Sequence, residues 1–270
     1  MTGISIGPLA FDPARFGAVL AILLYVSVAE LVSWVQRRRG RPDTGLYWST
    51  LTLIGWVVGA RIGFVAANAA VFADHPLDAI KLWQGGFAPA AGWIAGGLVL
   101  LVALLGGQPG ALRTTLPAAA VAALTLLLTA ASFPPPDIRL PALSLQTLDG
   151  RAAQLAGQGR PVVLNLWATW CPPCRREMPM MMELAASTPD VRFVFANQGE
   201  STAQIRSFLA DEGLPADDVL RDNQQQLTAE LGVAGMPSTL VFDADGDLVA
   251  ARTGELSRAA LVGLVDSARQ

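Results

Sequence analysis

The chain has 270 residues, 52% of them hydrophobic and only 15% charged, with a formal net charge of -3. A typical soluble domain carries about 25% charged residues, so an ordinary soluble chain is excluded, and the weakly acidic balance excludes nucleic acid as a partner. Two cysteines and one histidine fall short of the four Cys or His ligands that a structural zinc site normally needs.

The charge deficit is uneven. Charges are scarce from Phe16 to Ser132 and common from Asp137 onward, so the two halves suit two different solvents. Four apolar stretches, residues 16–36, 46–71, 88–106 and 112–132, approach the roughly 20 residues that cross a bilayer. The last two are rich in Gly and Ala, which points to close helix packing. Arg37, Arg38, Arg39 and Arg41 lie between the first two stretches, and Arg113 begins the fourth on the same side. The loop of residues 72–87 carries only Lys81 as a basic residue. The positive-inside bias puts the arginine loop in the cytoplasm. Both termini and the charged half are then extracytoplasmic, where disulfides persist. The basic run follows the first stretch rather than preceding it, so that stretch is not read as a cleaved signal peptide. Glu30 and Arg61 are ionisable groups inside apolar stretches. Glu30 lies near the cytoplasmic interface, whereas Arg61 lies deeper, where a functional role and snorkelling both stand as readings.

The stretches "ISIGPLAF" (residues 4–11) and "ARIGFVAANAAVFADHPLDAIKLWQGG" (residues 60–86) resemble the N-terminal half of prolipoprotein diacylglyceryl transferase, a likeness that covers residues 4–105. Where that family carries a functional His, this chain reads "GGFAPAAGW", and the family's later membrane helices have no counterpart. The resemblance therefore implies a shared helical scaffold and membrane placement, since a scaffold alone does not carry function. The competing reading is a lipid-binding or lipoprotein-processing module with an accessory binding domain.

Pro134, Pro135 and Pro136 follow the fourth stretch and predict a semi-rigid polyproline spacer. The expected organisation is a membrane domain over residues 1–133, a linker over 134–141 and an extracytoplasmic domain over 142–270. In that last part, residues 143–150 alternate and end in an Asp-Gly turn. Residues 160–167 and 191–198 are compact apolar runs that suit buried strands. Residues 175–187, 201–213, 222–233 and 257–270 read as helices, the last with Leu261, Leu264 and Val265 on one face. Residues 238–254 predict two strands around an Asp-Gly turn. "DADGD" (residues 243–247) places Gly246 fourth, not sixth as a calcium loop requires, so it reads as the hairpin turn. Strands alternating with helices predict an α/β domain with a mixed central sheet flanked by helices. The fold class as a whole is multi-domain, with a four-helix transmembrane region in front of it.

"NLWATWCPPCRREMP" (residues 165–179) contains both cysteines. Such a pair can hold metal, close a structural disulfide or shuttle electrons. Metal lacks its further ligands, and so small a disulfide loop stabilises little. The pair follows a strand and opens a helix, whose N-terminus favours a thiolate. Cys171 is expected at that N-terminus with its sulfur exposed, as the nucleophile, and Cys174, one turn inward, as the resolving thiol. Pro172 and Pro173 fix the turn and suit a helix start. Met178, Met180, Met181 and Met182 read as packing and rim residues rather than copper ligands, and Trp167 as core.

The charged half resembles the thioredoxin superfamily and, more closely, its TlpA/ResA/CcmG-type tethered thiol-disulfide oxidoreductases, over residues 141–270. The resemblance implies disulfide exchange without an added cofactor, the Cys171/Cys174 pair being the redox group. It implies a disulfide-containing extracytoplasmic protein as substrate, a DsbD/CcdA-type membrane electron donor, the lipid bilayer as a partner and a place in cytochrome c maturation. It also implies a cis peptide bond before Pro237, with Met236 pairing an extended substrate segment, and Trp170 shaping the rim. Pro179 matches the proline that kinks the active-site helix. Glu177 falls where this group carries a glutamate that tunes the cysteines; complementing the helix dipole is the alternative. Asn165 replaces the buried Asp of thioredoxin itself. Residues 199–220 resemble the group's helical insertion.

Overall fold

The computed structural model describes residues 4–6, 9–41, 44–133 and 137–269, with side chains from Asp12 onward. The expected polyproline spacer at Pro134, Pro135 and Pro136 lies outside the described residues. The chain divides into two compact units, Ala14–Pro134 and a second made of Met1–Pro13 and Pro135–Gln270.

The first unit holds helices α1 (Pro13–Arg38), α2 (Gly45–Ala67), α3 (Ala69–Asp74), α4 (Pro89–Leu105) and α5 (Pro109–Ser132). Among the described residues, α1, α2 and α5 are long and apolar enough to cross a membrane. Helix α4 is apolar but has 17 residues, a rise of roughly 26 Å. The single second stretch expected over residues 46–71 is instead two helices. Asn68 Nδ2 donates to the Phe64 carbonyl at 2.8 Å, and such local side-chain bonding competes with helix continuation.

Helices α2 and α4 approach closely because both present small residues. A β-carbon added at Gly59 would lie 2.2 Å from Ala95 Cβ, and one at Gly63 would lie 2.3 Å from Ala91 Cβ. On the α4 side, Gly92 and Gly96 face Trp56 and Thr52 in the same way. Tyr25 of α1 donates to the Ser49 carbonyl of α2 at 3.0 Å, and the Ser49 hydroxyl donates back to Tyr25 Oη at 2.9 Å. Such reciprocal bonds satisfy polar groups that lipid could not.

In the second unit, β1 (Ile4–Ile6) and β2 (Leu9–Phe11) pair antiparallel. The main sheet has seven strands in the order β4-β3-β7-β6-β5-β8-β9. They are β3 (Ser144–Thr147), β4 (Ala152–Gln154), β5 (Val162–Trp167), β6 (Arg192–Gln198), β7 (Val219–Asp222), β8 (Ser238–Phe242) and β9 (Leu248–Thr253). Strand β5 is parallel to β6 and antiparallel to β8, so the sheet is mixed. Helices α6 (Pro172–Ser187), α7 (Thr202–Asp211), α8 (Gln226–Glu230) and α9 (Arg258–Ser267) flank it.

Two core clusters cover the two faces of the sheet. Strand β5 alternates between them: Val163 and Trp167 join the cluster containing Met178, Met181, Phe208 and Leu261. Val162, Leu164 and Leu166 join the one containing Leu227, Leu240 and Phe242. Each such buried aliphatic side chain contributes about 1.5–3 kcal/mol. The alternation also turns Asn165 toward the α6 face, which matters for the site.

Two expectations are corrected. The helix expected over residues 222–233 is α8, only Gln226–Glu230. The Asp222 carboxylate ends β7 and accepts from the amides of Gln226 and Leu227 at 2.9 Å each. The stretch expected as a helical insertion over residues 199–220 is helix α7 followed by β7, a four-residue strand too short to announce itself by alternation. The "DADGD" stretch is the expected hairpin turn, with Asp243 Oδ1 accepting from the amides of Asp245 and Asp247.

Candidate active site

Strand β5 ends at Trp167, and a three-residue loop, Ala168–Trp170, leads to Cys171, the N-cap of α6. Cys171 and Cys174 form a disulfide with Cα atoms 5.3 Å apart. The Cys174 amide donates to Cys171 Sγ at 3.3 Å. Pro172 and Pro173 carry no N–H, so this is the first amide of the helix that can serve the sulfur. It is the same donor and the same dipole end that would stabilise a Cys171 thiolate.

The sulfur is not where the sequence reading put it. Cys171 is 3% exposed and Cys174 is fully buried. Bonded to a buried partner, Cys171 turns inward and joins the cluster of Trp167, Ala168 and Met178. What solvent reaches is the rim. Trp170 is 66% exposed, and Thr169, Trp170, Pro172, Arg175, Pro179 and Glu212 line a shallow depression of about 520 Å³ beside the pair. Pro173 is half-buried. Arg175 bridges this rim, pairing with Glu212 at 2.7 Å while its guanidinium lies 5.4 Å from the Phe208 ring centre.

The Met236–Pro237 peptide bond is cis. Ser238, the next residue, pairs with Leu166 of β5, so the cis bond lies at the same end of the strands from which the cysteine loop departs. Met236 packs against the cluster that holds both cysteines, and the Pro237 carbonyl accepts from the Gly254 amide at 2.8 Å. Pro179 sits inside α6 without interrupting it. Met178 and Met181 are fully buried, and Met182 is 7% exposed, all three as core.

Glu177 lies one turn beyond Cys174 and is 2% exposed. Its Oε1 accepts from Asn165 Nδ2 at 3.0 Å, and its Oε2 accepts from the Leu256 amide at 3.1 Å. Asn165 Nδ2 also donates to Thr239 Oγ1 at 3.1 Å. The carboxyl group therefore ties α6 to β5 and to the loop after β9. A residue at a solvent-facing helix end would complement the dipole from outside; this one is enclosed between α6, β5 and the loop after β9.

Sequence reasoning missed a second buried carboxylate. Glu200, 8% exposed, accepts from the Thr169 amide at 2.7 Å, from Thr169 Oγ1 at 2.5 Å and from Asn197 Nδ2 at 2.6 Å. It braces the loop between β5 and Cys171 from the end of β6. The available signal was "ANQGE" (residues 196–200), a polar run directly continuing a buried strand. Also missed was Glu255, which accepts from Arg176 Nε at 2.9 Å and Nη2 at 2.7 Å beside the Leu256 amide. Among the described residues, no group of three or more His, Cys, Asp or Glu is placed to hold a metal ion.

A family model described as Redoxin matches residues 135–263. The thiol:disulfide interchange protein DsbE of Escherichia coli K12 is 34% identical over 122 residues, which is 44% of this chain and 65% of that protein. The thiol-disulfide oxidoreductase ResA of Geobacillus thermodenitrificans is 35% identical over 121 residues, 44% of this chain and 69% of that protein. Among solved structures, a secreted Mycobacterium tuberculosis disulfide oxidoreductase homologous to E. coli DsbE is similar. It shares 29% identity over 47% of this chain and 96% of its own, with a TM-score of 0.43.

Proposed function

Because the chain belongs to the family of the thiol-disulfide oxidoreductase ResA, we propose that it is a membrane-anchored protein-disulfide reductase acting through Cys171 and Cys174. The observation that carries this reading is the placement of Cys171 as N-cap of α6, with its sulfur on the Cys174 amide. In the reduced protein, the Cys171 thiolate attacks one sulfur of a substrate disulfide. The substrate S–S bond breaks, a mixed disulfide forms, and the departing substrate thiolate takes up a proton. Cys174, deprotonated, then attacks Cys171 Sγ and releases the second substrate thiol. Two electrons pass to the substrate, and the Cys171–Cys174 disulfide is left. Within this scheme Trp170, Pro172 and Pro173 form the docking rim, Met236 and Pro237 receive an extended substrate segment, and Glu177 tunes the pair.

The membrane half is read as four crossings, with α4 completing a bundle around its glycine contacts. The arginines at 37–39 and 41 then face the cytoplasm, and the thioredoxin-like domain is extracytoplasmic in a bacterial inner membrane. No helix of this unit carries a cysteine, so electrons come from a separate membrane dithiol donor of the DsbD/CcdA type. Apocytochrome c, whose haem-binding cysteines must be reduced, is the substrate this reading favours. The transferase-like residues 4–105 serve as scaffold.

Replacing Cys171→Ser in the full-length protein tests the reading. Loss of disulfide reduction is expected; a full-length phenotype that survives the change favours the lipoprotein-processing alternative. Direction is tested by the reduction potential of the pair. A value near about -270 mV fits a reductase, whereas one near about -120 mV belongs to a strong oxidant and would overturn this direction.

A further inference from the structure

We propose that the segment between α3 and α4 is a foot that lies in the membrane interface, its Leu77, Ile80 and Trp83 side chains inserted among phospholipids and its backbone clamped by Arg61. The inference rests on the membrane placement of α2 and is independent of the redox reading.

Pro76–Ile80 and Leu82–Gln84 are 3-10 turns. In that geometry residues three apart share a face. Leu77 and Ile80 therefore share one face of the first turn, and with Trp83 of the second they are 74%, 73% and 62% exposed. Asp78 and Lys81 are ion-paired at 2.7 Å, and Gln84 is buried. The segment thus exposes its large apolar side chains while its polar ones are paired or buried, as an element lying at a bilayer surface does.

Arg61 explains how so short a segment keeps this orientation. It is 5% exposed. Nε donates to the Ala79 carbonyl at 2.8 Å and Nη2 to the Asp78 carbonyl at 2.7 Å. Nη1 donates to the carbonyls of Gly85 and Gly86 at 2.6 and 3.0 Å. Both ends of the segment are thus held by one guanidinium, which is flanked by the Phe64 and Phe72 rings. The charge that looked out of place inside an apolar helix is a fastener for backbone that leaves the helix.

The occupant follows from continuity. Ile62, 63% exposed on α2 beside Arg61, lines one apolar depression together with Val65, Phe72 and Ile80. The lipid-facing side of α2 therefore runs on into the foot. At the other end of α2, Tyr47 is 62% exposed. The helix between has 23 residues, a rise of roughly 34 Å, against a hydrocarbon core about 30 Å thick. A helix of that length places Tyr47 near one interface and its other end, where the Arg61-held segment departs, near the opposite one.

The test uses the full-length chain in phosphatidylethanolamine–phosphatidylglycerol vesicles, with Cys171 and Cys174 left as their disulfide. Single variants Leu77→Cys, Ile80→Cys and Trp83→Cys receive a nitroxide label, with Asp74→Cys as the aqueous control and Leu23→Cys as the mid-helix control. Collision with oxygen relative to an aqueous nickel chelate is expected to be several-fold higher at positions 77, 80 and 83 than at 74. Ratios no higher than at 74, with position 23 lipid-exposed, overturn the foot while leaving the membrane placement intact. Exclusion of both reagents at 77, 80 and 83 means a protein cover and also overturns it. A water-exposed position 23 overturns the membrane reading itself. Adding Arg61→Lys, which cannot supply these four bonds, is expected to increase label mobility at position 80; unchanged mobility refutes the clamp.

Discussion

Glu177 is the residue whose removal separates a packing role from a redox role. Its two oxygens accept from Asn165 Nδ2 at 3.0 Å and the Leu256 amide at 3.1 Å, and all three residues are at most 2% exposed. In Glu177→Gln one end still accepts, but the amide NH2 meets a donor at the other. One buried donor then loses its partner, at a cost of about 1–3 kcal/mol. In Glu177→Ala both donors lose their acceptor, and a cavity adds to the loss, so about 3–5 kcal/mol is expected. Pulse proteolysis of the oxidised full-length protein across a urea series reads both values from the C-terminal domain. A cost below about 1 kcal/mol for Glu177→Ala would mean that these hydrogen bonds do not hold α6 to the sheet. The redox role is read separately, from the pH dependence of alkylation of the reduced pair. A buried carboxylate one helical turn beyond Cys174 disfavours a thiolate there by like charge, so Glu177→Gln should move the profile to lower pH. Superimposable profiles for the native and Gln proteins would refute tuning by Glu177.

Three further outcomes are expected. Asn165→Asp places a second carboxyl group against Glu177 Oε1, at the 3.0 Å position of the present amide. One of the two must then stay protonated, so its folded pKa is raised; stability is kept at low pH and lost as pH rises through that pKa. The variant should be less stable than the native protein by about 2 kcal/mol or more at pH 8, with a smaller gap at pH 5, in denaturant titrations. Glu200→Gln weakens charge-assisted bonds to Thr169, which are worth about 1.5–3 kcal/mol each. It should slow reduction of a protein disulfide several-fold while leaving reaction with dithiothreitol nearly unchanged; equal slowing of both would show that the loop before Cys171 does not set protein docking. The Asp190 carboxyl is held below its usual range, chiefly by the hydrogen bond from Arg269. That depressed pKa contributes stability above the unfolded value of about 3.9, lost as pH falls through the folded one. Hydrogen exchange in α9 should therefore accelerate in acid, and Asp190→Asn should show the acid behaviour already at neutral pH.

The chain's local patterns were enough to expose the division into an apolar and a charged half, the buried strands expected within 160–167 and 191–198, the hairpin turn at Asp243–Asp247 and the strand-to-helix placement of the cysteines. These are written in residues a few positions apart, where hydropathy period and turn chemistry act directly. What the tertiary structure decided lies in contacts between residues distant in sequence. Asn165, Glu177 and Leu256 meet only because β5 pairs with β8 and α6 packs across them. Glu200 reaches Thr169 only because β6 runs parallel to β5. Cys171 proved buried because it is bonded to buried Cys174 and joins a cluster that draws Phe208 and Leu261 from far along the chain. The short strand Val219–Asp222 exists because a neighbour offers it hydrogen bonds, not because its own residues alternate. Arg61 announced itself in the sequence as a charge in an apolar helix, but its four carbonyl partners, from Asp78 to Gly86, appear only when the chain turns back. A single sequence specifies which groups need partners; chain closure decides which ones they find.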